Sequence, residues 1–78
     1  MRIEINKYIV ADPAICHGKP CFKGTRIMVY LVLEMLAGGE TPEEIIQNAY
    51  PQLTMKHIEA ALEYAARMAQ AGHMIKVS

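Results

Sequence analysis

The run from Thr41 to Leu62 constrains this chain most. Thr41-Pro-Glu-Glu-Ile-Ile opens a helix, Tyr50-Pro-Gln-Leu breaks it, and Thr54-Met-Lys-His-Ile opens another. Thr41 reads as the N-cap and Pro42 as N1. Glu43 and Glu44 fall in the first turn, where the aligned peptide dipoles favour anions. Glu44, three residues after Thr41, completes a capping box. Pro51 ends the helix, and Leu53 packs inward from the turn. Two capped helices joined by a tight turn outline a helix-turn-helix, and 78 residues leave little room for more.

The rest of the chain is read around that pair. Arg2-Ile-Glu-Ile to Tyr8-Ile-Val alternates and is β-branched, which predicts one or two short strands. Asp12-Pro13 favours a turn, Gly18-Lys19-Pro20 marks a loop, and Cys21-Phe22-Lys23 suits a strand before Gly24. Helix one runs from about Met28 to Ala37 and is apolar nearly all round; Gly38-Gly39 ends it, since glycine accepts the left-handed conformation at C′. Ile45, Ile46 and Ala49 supply the buried face of helix two. Helix three extends from the Thr54 cap to about Ala71, with Gly72 at C′. Ile58, Leu62, Ala65 and Ala69 form one stripe on it, and Ala61, Tyr64 and Met68 a neighbouring one. The expected architecture is one mainly α domain over 1–78. Residues 1–27 form a β arm and basic loop, 28–72 a three-helix bundle, and 73–78 a short strand or frayed tail.

Composition pulls against a strong grip on DNA. The formal net charge is +0, so uniform attraction to a polyanion is absent. The charge is unevenly spread. Residues 1–26 carry five cations against two anions, whereas 27–50 carry four anions and no cation. Apolar residues make up 53% of the chain, a surplus for so small a domain. Tyr30, Leu31, Met35, Tyr64 and Met68, with Met74, exceed one small core and predict an isologous homodimer. Binding a different protein is the other use of that surface. The start of the chain lacks the apolar core of a signal peptide, and no run is long enough to span a membrane. The expected address is the cytoplasm, where Cys16 and Cys21 stay free thiols.

Under the helix-turn-helix reading, Thr54, Met55, Lys56 and His57, extending to Glu59 and Ala60, are the exposed positions that meet DNA, with Lys19, Lys23 and Arg26 of the basic loop assisting at phosphates. A plain three-helix bundle with a solvated loop is the alternative, and Glu59 and Glu63 on helix three favour it by repelling phosphates. Cys16, His17 and Cys21, with His57 or His73, are zinc-ligand types, but they lack a C-x-x-C spacing and lie on separate segments. Lys-Gly-Thr is not a P-loop. A Cys–His pair has no third orienting group. The chain is read as non-enzymatic, with no metal and no cofactor.

Several blocks together resemble a known family. They are Asp12-Pro-x-Ile-Cys-His-Gly-Lys-Pro-x-Phe-Lys-Gly-Thr-Arg-Ile, Leu36-Ala-Gly-Gly-Glu-Thr-Pro-Glu-Glu-Ile, Tyr50-Pro-Gln-Leu-Thr and Ala60-Ala-Leu-Glu-Tyr-Ala. Over about residues 8 to 66 the chain resembles the small prokaryotic domain-of-unknown-function family 433. The resemblance implies a homeodomain-like helix-turn-helix with a small N-terminal β arm, and dimers. Some relatives look like antitoxins paired with a PIN-type ribonuclease toxin encoded next door, which typically repress their own promoter. By position, Lys19, Lys23, Gly24, Thr25 and Arg26 fall in the family's signature loop. Met28 stands where the family usually has proline, and Cys16 and Cys21 where it commonly has other small or apolar residues.

Overall fold

The computed structural model describes residues 1–72. It contains a three-stranded antiparallel sheet followed by three helices. The tail over 73–78 lies outside the described residues.

The strands are β1 (Ile3–Glu4), β2 (Ile9–Ala11) and β3 (Cys21–Phe22), in that spatial order. Ile3 pairs with Ala11 and Glu4 with Val10; Ile9 pairs with Phe22 and Val10 with Cys21. Short β-branched runs suit such a sheet because successive side chains pack on its two faces, both covered at β2 and β3. Ile9, Val10, Cys21 and Phe22 are buried, whereas both residues of the edge strand β1 are exposed.

A turn from β2 to β3 passes through left-handed backbone at Cys16 (φ 53), His17 (φ 57) and Gly18 (φ 84). Left-handed geometry costs a non-glycine residue about 1–2 kcal/mol. Three i→i+3 bonds hold this stretch: Ile15 to Asp12, Gly18 to Ile15 and Lys19 to Cys16, at 2.8 to 3.1 Å. A second turn follows β3. Gly24 takes φ 76, which a Cβ would oppose. Thr25 Oγ1 donates to the Phe22 carbonyl at 2.7 Å and accepts from the Ile27 N–H at 3.1 Å. Gly24 and Thr25 therefore shape the turn that returns the chain to Ile27.

Helix α1 (Val29–Ala37) begins where Met28 bridges back to Cys21 and the Val29 N–H bonds the Pro20 carbonyl. It ends in a Schellman arrangement: Glu40 N–H bonds Met35 O and Gly39 N–H bonds Leu36 O, with Gly39 at φ 99. Helix α2 (Pro42–Glu44) carries the expected capping box. Glu44 N–H donates to Thr41 Oγ1 at 3.1 Å, and Thr41 N–H to Glu44 Oε1 at 2.8 Å.

The chain then widens into a π-helical stretch, Ile45–Ala49, closed by Tyr50 N–H on Ile45 O at 2.9 Å. Pro51 explains the widening. It disfavours helical backbone at Tyr50, which sits at φ −132, so the last bond reaches back five residues. Ala49 was expected on the buried face and is instead exposed. With an i→i+5 repeat, a residue four places past Ile45 falls short of a full turn. Ile45 is buried and Ile46 packs against the core.

Helix α3 (Met55–Gln70) lies against α1 and α2. Its core residues are Ile58, Ala60 and Ala61, backed by Tyr64. Small alanines let the helix axis approach the sheet and α1. Leu62 was expected in the Ile58 stripe but is 49% exposed, and every residue from Ala66 to Gln70, Met68 and Ala69 included, is exposed. The periodicity marks an apolar stripe; the described residues cover only its first half. No helix of the described residues is long and apolar enough to cross a membrane.

Burial separates two neighbouring large residues on α3. Ile58→Ala is expected to cost about 2–5 kcal/mol of unfolding free energy, and Leu62→Ala less than about 0.5 kcal/mol. Urea denaturation at low protein concentration checks both. A large loss at Leu62 would show that another chain covers it.

Candidate functional site

The first turn of α3 is built on an unusual cap. Thr54 occupies the N-cap at φ −122, and its carbonyl accepts from the His57 and Ile58 N–H groups. The reciprocal bond comes from a histidine: His57 Nδ1 accepts from the Thr54 N–H at 3.0 Å and lies 2.9 Å from Thr54 Oγ1. Accepting at Nδ1 requires a neutral ring with its proton on Nε2. The same ring meets Tyr8 edge-on at 5.0 Å and Phe22 at 5.5 Å. Burial pushes its pKa below the ordinary histidine value. His57 was expected among the exposed reading positions; it is half-buried and occupied by the cap. Thr54, Met55, Lys56 and Glu59 are exposed, whereas Ala60, also expected to be exposed, packs into the core.

Lys56 borders an open concavity of about 400 Å³ that α3 shares with the β1–β2 turn. Asn6, Lys7 and Tyr8 form one wall and Lys56, Glu59, Ala60 and Glu63 the other. Asn6 pins the turn to the helix: its Oδ1 accepts from the Tyr8 N–H at 2.9 Å and its Nδ2 donates to the Ala60 carbonyl at 3.4 Å. The Lys7 ammonium lies 5.8 Å from the Tyr8 ring centroid. Sequence reasoning missed this wall. Its signal was an Asn-Lys pair between two β-branched runs, which marks an exposed turn but not the helix it touches. Two lysines and two glutamates leave the concavity with no net formal charge.

The basic loop does not gather there as a unit. Lys23 reaches Glu4 at 2.6 Å, and Arg2 contacts the other oxygen of that carboxylate at 3.0 Å. Lys23, and then Arg2, hold the Glu4 carboxyl below its ordinary range. Arg26 is exposed beside Ile15, Gly24 and Thr25, around a separate hollow of about 310 Å³. Lys19 lies 5.1 Å from the Tyr30 ring centroid. It edges a third hollow, of about 280 Å³, with Pro20, Val29, Leu33 and Tyr64. Proximity in sequence brought these three cations together on paper; two tight turns separate them in space.

The apolar positions expected at a dimer face divide too. Tyr30 is 42% and Met68 36% exposed. Leu31 is half-buried, while Met35 and Tyr64 pack partly against the subunit's own core. Among the described residues, no three His, Cys, Asp or Glu side chains stand close enough to hold a metal ion. His73 lies outside those residues.

Comparison with known families gives a match. The family model described as "Protein of unknown function (DUF433)" covers residues 9–65, from β2 into α3 and well over half of the chain. No curated protein and no solved structure matches.

The cap makes stability depend on the ionisation of His57. Its pKa is lower in the fold than the unfolded value of about 6.5, so the unfolded chain binds the proton more readily. The contribution is fully present above about pH 6.5 and is lost as pH falls from there through the depressed folded value. Urea midpoints should therefore fall as pH drops below about 6.5. His57→Gln keeps an acceptor three residues after the cap and should flatten that slope. An unchanged slope in the variant would assign the titration elsewhere.

Proposed function

The chain belongs to the DUF433 family, whose function is unknown, and we propose from its geometry that it is an antitoxin-like transcriptional regulator. In this reading it acts in the cytoplasm as a homodimer, binds operator DNA, and pairs with a PIN-type ribonuclease toxin encoded next door. It uses no cofactor and carries out no catalysis.

The observation that carries the reading is the capped α2–turn–α3 pair, with Thr54, Met55 and Lys56 exposed on the first turn of a 16-residue helix. We read the pair as a helix-turn-helix of the homeodomain-like kind, with α3 entering the major groove. Thr54 and Lys56 then donate to phosphates or base edges, and Met55 offers an apolar contact to a thymine methyl. Lys7 faces the same concavity and adds a phosphate contact from the sheet side. A dimer formed through Tyr30, Leu31, Met35, Tyr64 and Met68 would present two such helices to a palindromic site. The PIN-type partner rests on the family resemblance alone.

A second reading, a protein-interaction module without DNA binding, draws on charge. Glu59 and Glu63 offset Lys7 and Lys56, and Glu4 neutralises Lys23. Its apolar face would then bind a partner protein.

Fluorescence anisotropy against the DNA upstream of the chain's own gene, titrated with salt, separates the two. The regulator is expected to prefer that DNA over a scrambled duplex. Lys56→Glu with Lys7→Glu should abolish that binding while leaving the fold intact. Replacing Lys56 alone by Ala should reduce the log–log salt slope by about 1. No binding at low salt, with a stable complex to the neighbouring gene product, would move the function to the interaction module.

A further inference from the structure

Two cysteines that take no part in the α3 concavity lie on either side of the Arg26–Met28 return to the sheet. Cys21 is fully buried on β3, and Cys16 is half-buried in the left-handed turn five residues earlier. That turn folds Cys16 back toward β3. The Cys16 thiol donates to the Arg26 carbonyl at 3.3 Å. Arg26 directly precedes the stretch that pairs with β3: the Phe22 N–H bonds the Ile27 carbonyl at 3.0 Å, and Cys21 bridges Met28. Cys16 Sγ and the Cys21 backbone thus flank the same short length of chain, Arg26–Met28. Both cysteines are free thiols.

We propose that Cys16 and Cys21 form an oxidisable dithiol that closes to an intramolecular disulfide when a small-molecule disulfide such as oxidised glutathione is present. Exposure orders the steps. Cys16 reaches solvent, loses its proton and attacks one glutathione sulfur. The glutathione S–S bond breaks, and a first glutathione thiolate leaves and takes up a proton. Buried Cys21 then loses its proton and attacks the Cys16 sulfur of the mixed disulfide, expelling the second glutathione as a thiol. Two electrons pass from the two protein thiols to the glutathione disulfide, and two protons end on two glutathione thiols. Burial, with Cys16 close by, pushes the Cys21 pKa up. The closing step therefore quickens as pH rises toward the thiol range. Closure ties the left-handed turn to β3.

The test is to incubate the full chain with oxidised glutathione, natively and in denaturant, alkylate the remaining thiols, and measure intact mass and linked peptides over time. The native chain is expected to lose two hydrogens, about 2 Da, without a retained adduct. The peptides carrying Cys16 and Cys21 should be joined, and closure should run at least about tenfold faster in the folded chain, because the fold holds the sulfurs together. Cys16→Ser should show neither the loss nor the link. A persistent glutathione adduct on Cys16, a disulfide-linked dimer as the main product, or closure no faster natively than in denaturant would overturn the proposal. Wild-type mapping decides the matter even if the variant folds poorly.

Discussion

The imidazole of His57 joins the two halves of this molecule. It completes the N-terminal cap of α3 and makes T-shaped contacts with Tyr8 of the β1–β2 turn and Phe22 of β3. One side chain thus sets where the helix begins and how far the hairpin lies from it. Tyr8, one partner in that contact, also lines the concavity between the Asn6–Tyr8 turn and α3. A glutamate at the same position would satisfy the cap, as Glu44 does for α2, yet would bring no aromatic surface to Tyr8 and Phe22. Histidine supplies both, at the cost of a titratable group inside a structural joint.

Local chemistry was legible in the sequence wherever a rule acts over three or four residues. The Thr41–Glu44 box, the glycine end of α1 and the short strands around Ile9 and Cys21 all follow from such rules. What escaped depends on more distant geometry. Pro51 acts backwards through Tyr50 to widen the helix before it, which turns Ala49 outward. Leu62 sits at an apolar period but beyond the reach of the single core. Periodicity identifies a face; it does not say whether the subunit itself or another chain covers that face.

The site divides along the same line. Thr54, Met55 and Lys56 were identifiable as exposed first-turn residues because a cap fixes its own neighbours. Lys19, Lys23 and Arg26 looked like a cluster because they are close in sequence. The two left-handed turns, at Cys16–Gly18 and at Gly24, send them toward Tyr30, Glu4 and the Ile15 hollow respectively. Lys7 was overlooked because its neighbour in space, Lys56, is 49 positions away in the chain. Charge counted along a sequence is a weak guide when turns reverse the chain so often.

The charges on β1 do something a count of ion pairs would miss. Among the described residues, this two-residue strand pairs with β2 alone, so its other side is an open edge to any passing extended chain. The Arg2–Glu4–Lys23 network is solvated and adds little to folding energy. It does place fixed, hydrated charge along that open border. An incoming strand would have to strip water from these groups before it could pair, so the small sheet is guarded against growing from copy to copy.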